Sequence, residues 1–162
     1  MLELKLYEER VTSRWITLIL AIPTLIFLFL LGYQLIVGPL GSRPAPNWFF
    51  LIMFLLFLAL TINFSALNIK ITDRFVSIGY GIIKYNIPWE NIKDCYLDET
   101  SSFAYGGWGI RIGKVEGKSR LIYNVIGGPR VVIALRRGKF DEFVFSTRNP
   151  QVVIELVKSK IR

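Results

Sequence analysis

Residues 15–37, WITLILAIPTLIFLFLLGYQLIV, and residues 48–67, WFFLIMFLLFLALTINFSAL, are two apolar runs separated by GPLGSRPAPN at residues 38–47. Neither run contains a Lys, Arg, Asp or Glu. At about 1.5 Å of rise per residue the runs give helices of roughly 34 and 30 Å, enough to cross a hydrocarbon core of about 30 Å. The segment between them cannot be helical throughout, because Pro39, Pro44 and Pro46 break it and its glycines permit a tight reversal. The reading is a transmembrane helical hairpin. The first run is too long for the apolar region of a signal peptide, and no A-x-A cleavage pattern follows it. Pro23 falls inside the first helix, Trp15 and Tyr33 lie near its ends as interfacial aromatics do, and Asn47 is the predicted N-cap of the second helix.

The residues flanking the hairpin orient it. Lys5, Arg10 and Arg14 precede the first helix, Lys70 and Arg74 follow the second, and Arg43 is the one basic residue in the turn. Basic residues concentrate on the cytoplasmic side, so the pattern predicts a multi-pass protein of the cell (inner) membrane with both termini in the cytoplasm. Residues 1–14 form a cytoplasmic N-terminal segment in which Leu2, Leu4 and Leu6 alternate with Glu3 and Lys5. That period suits a short strand, able to pair with the C-terminal part on the same face, or an amphipathic segment along the interface.

The net charge of +8 is unevenly placed. Residues 1–14 hold three basic and three acidic groups, whereas residues 68–162 hold sixteen basic and nine acidic ones. A basic domain tethered to a bilayer has anionic lipid as its nearest counter-ion. Nucleic acid, the other usual partner of a basic chain, is not expected here. The chain has no His, so the commonest acid–base side chain near neutral pH is missing. The single cysteine, Cys95, cannot form an internal disulfide or a thiolate metal cluster; its place in a strand predicts a small buried hydrophobe.

After the second run the period changes from helical to alternating. Residues 68–72 and 75–80 alternate around Asp73-Arg74, which is a hairpin pattern. Further strand-like segments follow to residue 146, and residues 149–161 carry Val152, Val153, Leu156, Val157 and Ile161 at helical spacing. The expectation for residues 68–162 is a cytoplasmic all-β domain of about seven antiparallel strands, curved into a half-open barrel and closed by a C-terminal α-helix.

Five segments carry a resemblance: IPWENIKD (87–94), YGGWGIR (105–111), YNVIGGPRVVIAL (123–135), RRGKFDEFVFST (136–147) and RNPQVVIELVKSKI (148–161). Their order resembles that in bacterial pleckstrin-homology-like (PH-like) domains on membrane-anchored proteins. The resemblance implies a PH-like split barrel with a C-terminal helix and no catalytic site. The inositol-lipid site of some eukaryotic relatives needs a basic motif in the first hairpin, where this chain offers only Lys70 and Arg74.

The candidate partner or lipid surface starts at Gly106, Gly107, Trp108 and Arg111. The glycines would let a partner approach the backbone, Trp108 offers an apolar face, and Arg111 suits a phosphate or carboxylate. The plainer reading, which the pattern favours, is a bend in the sheet with Trp108 in the core and Arg111 paired locally. Tyr123, Asn124 and Arg130 form a second rim of that surface, or simply a strand ending in a turn. Arg136, Arg137 and Lys139 make a basic hairpin tip, and Lys158, Lys160 and Arg162 a basic terminal turn. Trp89 is read as a core plug. Glu90, Asp94, Asp98, Glu99 and the Ser101-Ser102 pair lack a base partner or a metal-ligand spacing, so no catalytic, cofactor or metal residue is predicted. The expected function is non-enzymatic: a membrane-anchored module for protein–protein interaction, self-assembly or binding to an anionic lipid surface. The alternative is an accessory subunit of a membrane transporter or channel complex.

Overall fold

A computed structural model describes residues 4–101 and 105–161. Leu2, Glu3, Ser102 and Arg162, named above, lie outside these. The chain divides into two compact units. One is Arg14–Ser65; the other joins the N-terminal strand to everything from Ala66 onward.

The first unit contains α1 (Arg14–Ile36) and α2 (Asn47–Phe64), both long and apolar enough to cross a membrane. With so few polar side chains, the pair is held largely by close packing. The Phe27 ring stacks on Phe57 at 5.6 Å and meets Phe49 edge-on at 6.4 Å. The Thr24 and Thr61 hydroxyls lie 3.2 Å apart, and one can donate to the other while the second donates to the carbonyl one turn earlier in its own helix, Leu20 for Thr24 or Phe57 for Thr61. The turn is fastened by Gln34, whose Nε2 donates to the Ala45 carbonyl and to Asn47 Oδ1. Asn47 is therefore not the N-cap: Pro46 occupies that position without a side-chain bond, and the Asn47 amide is spent on Gln34. The apolar run reads through Leu67, but α2 stops at Phe64, where the Ser65 hydroxyl turns back to the Ile62 carbonyl.

The second unit contains β1 (Lys5–Thr12), β2 (Ala66–Thr72), β3 (Phe75–Tyr80), β4 (Ile83–Pro88), β5 (Ile92–Leu97), β6 (Gly109–Val115), β7 (Lys118–Asn124), β8 (Arg130–Leu135), β9 (Glu142–Ser146) and α3 (Pro150–Ile161). From Ala66 onward the described residues form eight strands where about seven were expected, and β1 adds a ninth from the N-terminal segment. They make two sheets, ordered β1-β2-β3-β4 and β5-β8-β9-β7-β6. The N-terminal alternation is a strand: β1 pairs with β2 from Lys5↔Thr72 to Thr12↔Ala66. A single 3-10 turn at Trp89–Asn91 ends β4 and starts β5. The strands are not all antiparallel either. The β8–β9 hairpin folds back so that β9 lies between β8 and β7, and β9 runs parallel to β7 in the register Arg120↔Glu142 to Tyr123↔Phe145.

Alternation along the five-stranded sheet gives it two faces. One face meets the four-stranded sheet in an aromatic core, with Tyr85 stacked on Phe143 at 5.1 Å and Tyr123 between Tyr80 and Phe143. The other face carries a smaller apolar cluster of Ile122, Val132 and Val144, joined by Tyr105 from the loop after β5. Helix α3 packs on β5 through buried Val153 and Val157. Trp89 is only half-buried, with its Nε1 donating to the Thr72 carbonyl. The first and last parts of this unit are fastened together: Tyr7, the Thr147 hydroxyl and the Arg148 N–H all donate to the Glu9 carboxylate, at the entry to α3.

Candidate functional site

The glycine segment forms the approach to β6. Gly106, Gly107 and Gly109 have φ of 67°, 128° and 92°, values that only glycine adopts without strain. Arg111 folds back over this loop and its Nε donates to the Trp108 carbonyl at 3.2 Å. A Cβ on Gly107 would stand 2.7 Å from Arg111 Nη2. The backbone angle requires glycine at 107, whereas the Arg111 guanidinium, at the end of an exposed flexible side chain, would only have to shift. Arg111 is paired locally, but Trp108 is not in the core: 40% of it is exposed.

Asn124, at the end of β7, ties this loop to the second rim. It is buried, and its Nδ2 donates to the Gly107 carbonyl at 3.0 Å while its backbone carbonyl accepts the Tyr80 hydroxyl at 2.7 Å. The Val125 N–H donates to the buried Ser146 hydroxyl. Residues 106–108 and 124–127 together line one cavity of about 250 Å³. Its walls are glycine backbone, Trp108, Val125, Ile126 and Asn124, with no ionisable side chain. Such a cavity can hold an apolar group but supplies no acid, base or nucleophile.

The other candidate residues are placed elsewhere. The Tyr123 ring faces the aromatic core between the sheets. Arg136 is exposed, and its Nε donates to the Ile92 carbonyl. It shares a cleft of about 350 Å³ with Trp89, Glu90 and Lys160, so the hairpin tip and the terminal turn meet there. The Arg137 N–H donates to Asn91 Oδ1, and Lys139 lies over the Phe140 ring at 5.8 Å.

Arg130 belongs to a buried ionic network. Its Nε donates to Asp98 Oδ2 at 2.7 Å, and it lies 5.3 Å above the Tyr105 ring. Arg120 donates to Glu142 Oε2 at 2.6 Å, to the Tyr105 hydroxyl at 2.6 Å and to the Thr100 hydroxyl at 3.0 Å. Glu142 also accepts from Tyr96 and from Lys118. Burial penalises charge on Asp98, but hydrogen bonds from Arg130 and Thr100 outweigh it and hold the carboxyl below the usual range. Glu142 shows the same balance, with Lys118, Tyr96 and Arg120 overcoming its burial. The network opens onto a cavity of about 580 Å³ between the β5 end and the β6–β7 turn. Asp98 was visible in the sequence as a lone acid; Arg120 and Glu142 carried no signal at all.

Cys95 is fully buried, and burial together with the neighbouring Asp94 pushes its thiol up to about 12, which suits a packing role and not a nucleophile. Among the described residues no group of three His, Cys, Asp or Glu side chains could hold a metal ion. No family model, curated protein or solved structure matches the chain.

Proposed function

We propose that this protein is a membrane-anchored, PH-like interaction module without catalytic activity, held at the cytoplasmic face by its two-helix hairpin. The observation that carries the reading is the cavity formed by residues 106–108 and 124–127, an apolar recess with exposed Trp108 and Ile126 at its margin and no ionisable wall. Exposed aromatic and aliphatic groups around a recess are the usual anchors of a protein interface. One residue, Ser13, separates β1 from α1, and one residue, Ser65, separates α2 from β2. Two sheets with a C-terminal helix on β5 support the PH-like assignment. A photoreactive amino acid replacing Trp108 tests the module in native membranes. The reading expects a protein cross-link that Ile126→Trp, which fills the recess, reduces at least about tenfold. A cross-link pattern confined to lipid, or indifferent to Ile126→Trp, contradicts it.

A further inference from the structure

The four free sheet edges of the β unit are not equivalent. β5 is covered by α3. β1 carries a register shift between Lys5 and Tyr7, and its Tyr7 and Glu9 are engaged at the entry to α3. β4 ends in Pro88, which has no N–H to offer. β6 is different: seven residues, GIRIGKV, without proline, bulge or cover among the described residues.

The turn after β6 fixes which backbone groups face outward. Val115 pairs with Lys118 across the two-residue turn Glu116-Gly117, with φ of 50° and 84°. Two positive φ values mark a type I′ hairpin, in which the flanking residues exchange hydrogen bonds with each other. Val115, Gly113, Arg111 and Gly109 therefore direct their N–H and C=O groups toward β7. Ile110, Ile112 and Lys114 direct theirs to the open edge. The Ile112 side chain is 67% exposed.

We infer that β6 pairs with β6 of a second copy of this chain, antiparallel and centred on Ile112. This deepens the interaction reading by naming a partner and a surface. In that register Ile112 meets Ile112, and each Ile110 meets the other copy's Lys114, all through outward-facing backbone groups. Each Arg111 falls opposite a Gly113, so no two like charges stand directly across from one another, an arrangement that would otherwise be unfavourable. Centring on Gly113 instead would still pair outward-facing groups, Ile112 with Lys114, but it loses the contact between the two exposed Ile112 side chains and sets Gly113, which has no side chain, opposite itself. The contact is self-complementary, as a closed twofold requires.

The test uses the full-length protein with Cys95→Ser in native membranes, with introduced cysteines oxidised and run without reductant. Paired residues of this kind have Cα atoms about 5.5 Å apart, within disulfide reach. Ile112→Cys is expected to give a covalent dimer, Ile110→Cys to stay monomeric, and the double variant Ile110→Cys with Lys114→Cys to cross-link. In mild detergent, Ile112→Lys, a change at an exposed position, is expected to raise the dimer dissociation constant about tenfold or more. Equal cross-linking at 110 and 112, or a monomeric Ile112→Cys protein, overturns the inference. A heterologous cross-link at position 108 with a monomeric Ile112→Cys protein removes the self-pairing alone; self-pairing that leaves the recess without protein contact removes the recess reading alone.

Discussion

Arg120 and Glu142 are both at least nine-tenths buried, at 5% and 1% exposed, and they are joined to Asp98, Arg130, Tyr96 and Tyr105. Buried charges persist only when paired and hydrogen-bonded, because losing one partner strands the other at a cost of about 3–5 kcal/mol. The network also sets a pH dependence. Asp98 and Glu142 titrate below their ordinary values in the folded protein, so the unfolded chain binds more protons as pH falls. Their stabilisation is complete above the ordinary carboxylate range of about 4 and is lost as pH drops through their folded values. Thermal melting of the β unit should therefore stay level from neutral pH to about 5 and fall steeply below about 4. A flat profile to about pH 2 would show that the two carboxylates are not charged partners. None of this was legible in the chain order. Arg120 and Glu142 are joined only because β9 returns beside β7 in parallel, a non-local pairing with no local pattern. The glycines at 106, 107 and 109 were legible, because residues needing positive φ announce themselves.

At the scale of elements, the alternation of residues 68–80 and the helical spacing of residues 149–161 led directly to β2, β3 and α3. The two rims of the candidate surface were also readable, as glycine-rich segments before β6 and after β7. Their convergence needed the Asn124 bond to Gly107, which a strand's sequence does not display. The N-terminal strand shows how an element gains its role from its partners. β1 is charged and partly exposed, yet Glu9 collects donors from Tyr7, Thr147 and Arg148 where α3 begins. A carboxylate near a helix N-terminus is also favoured by the helix dipole. Glu9→Ala should cost about 1–3 kcal/mol and raise hydrogen exchange in the first turn of α3, whereas Glu9→Gln should retain much of the bond set. Unchanged exchange in Glu9→Ala would mean that α3 is held by Val153 and Val157 alone.

For the whole molecule, the two apolar runs were the strongest signal and the β topology the weakest. A run of twenty apolar residues marks a candidate span by composition, while a sheet order depends on which distant strands meet. The account joins a two-helix anchor to a β unit whose first two strands, β1 and β2, are neighbours paired at Thr12↔Ala66. Under the proposed reading two spans return the chain to the same face of a membrane. The central claim is that this face is cytoplasmic and carries the interaction surface. Sealed cells expressing Ser42→Cys in the helical turn, or Lys139→Cys in the β8–β9 hairpin, can be treated with a membrane-impermeant maleimide. The account predicts labelling of residue 42 in intact cells and of residue 139 only after permeabilisation. Labelling of both positions in intact cells, or of residue 139 alone, would contradict it.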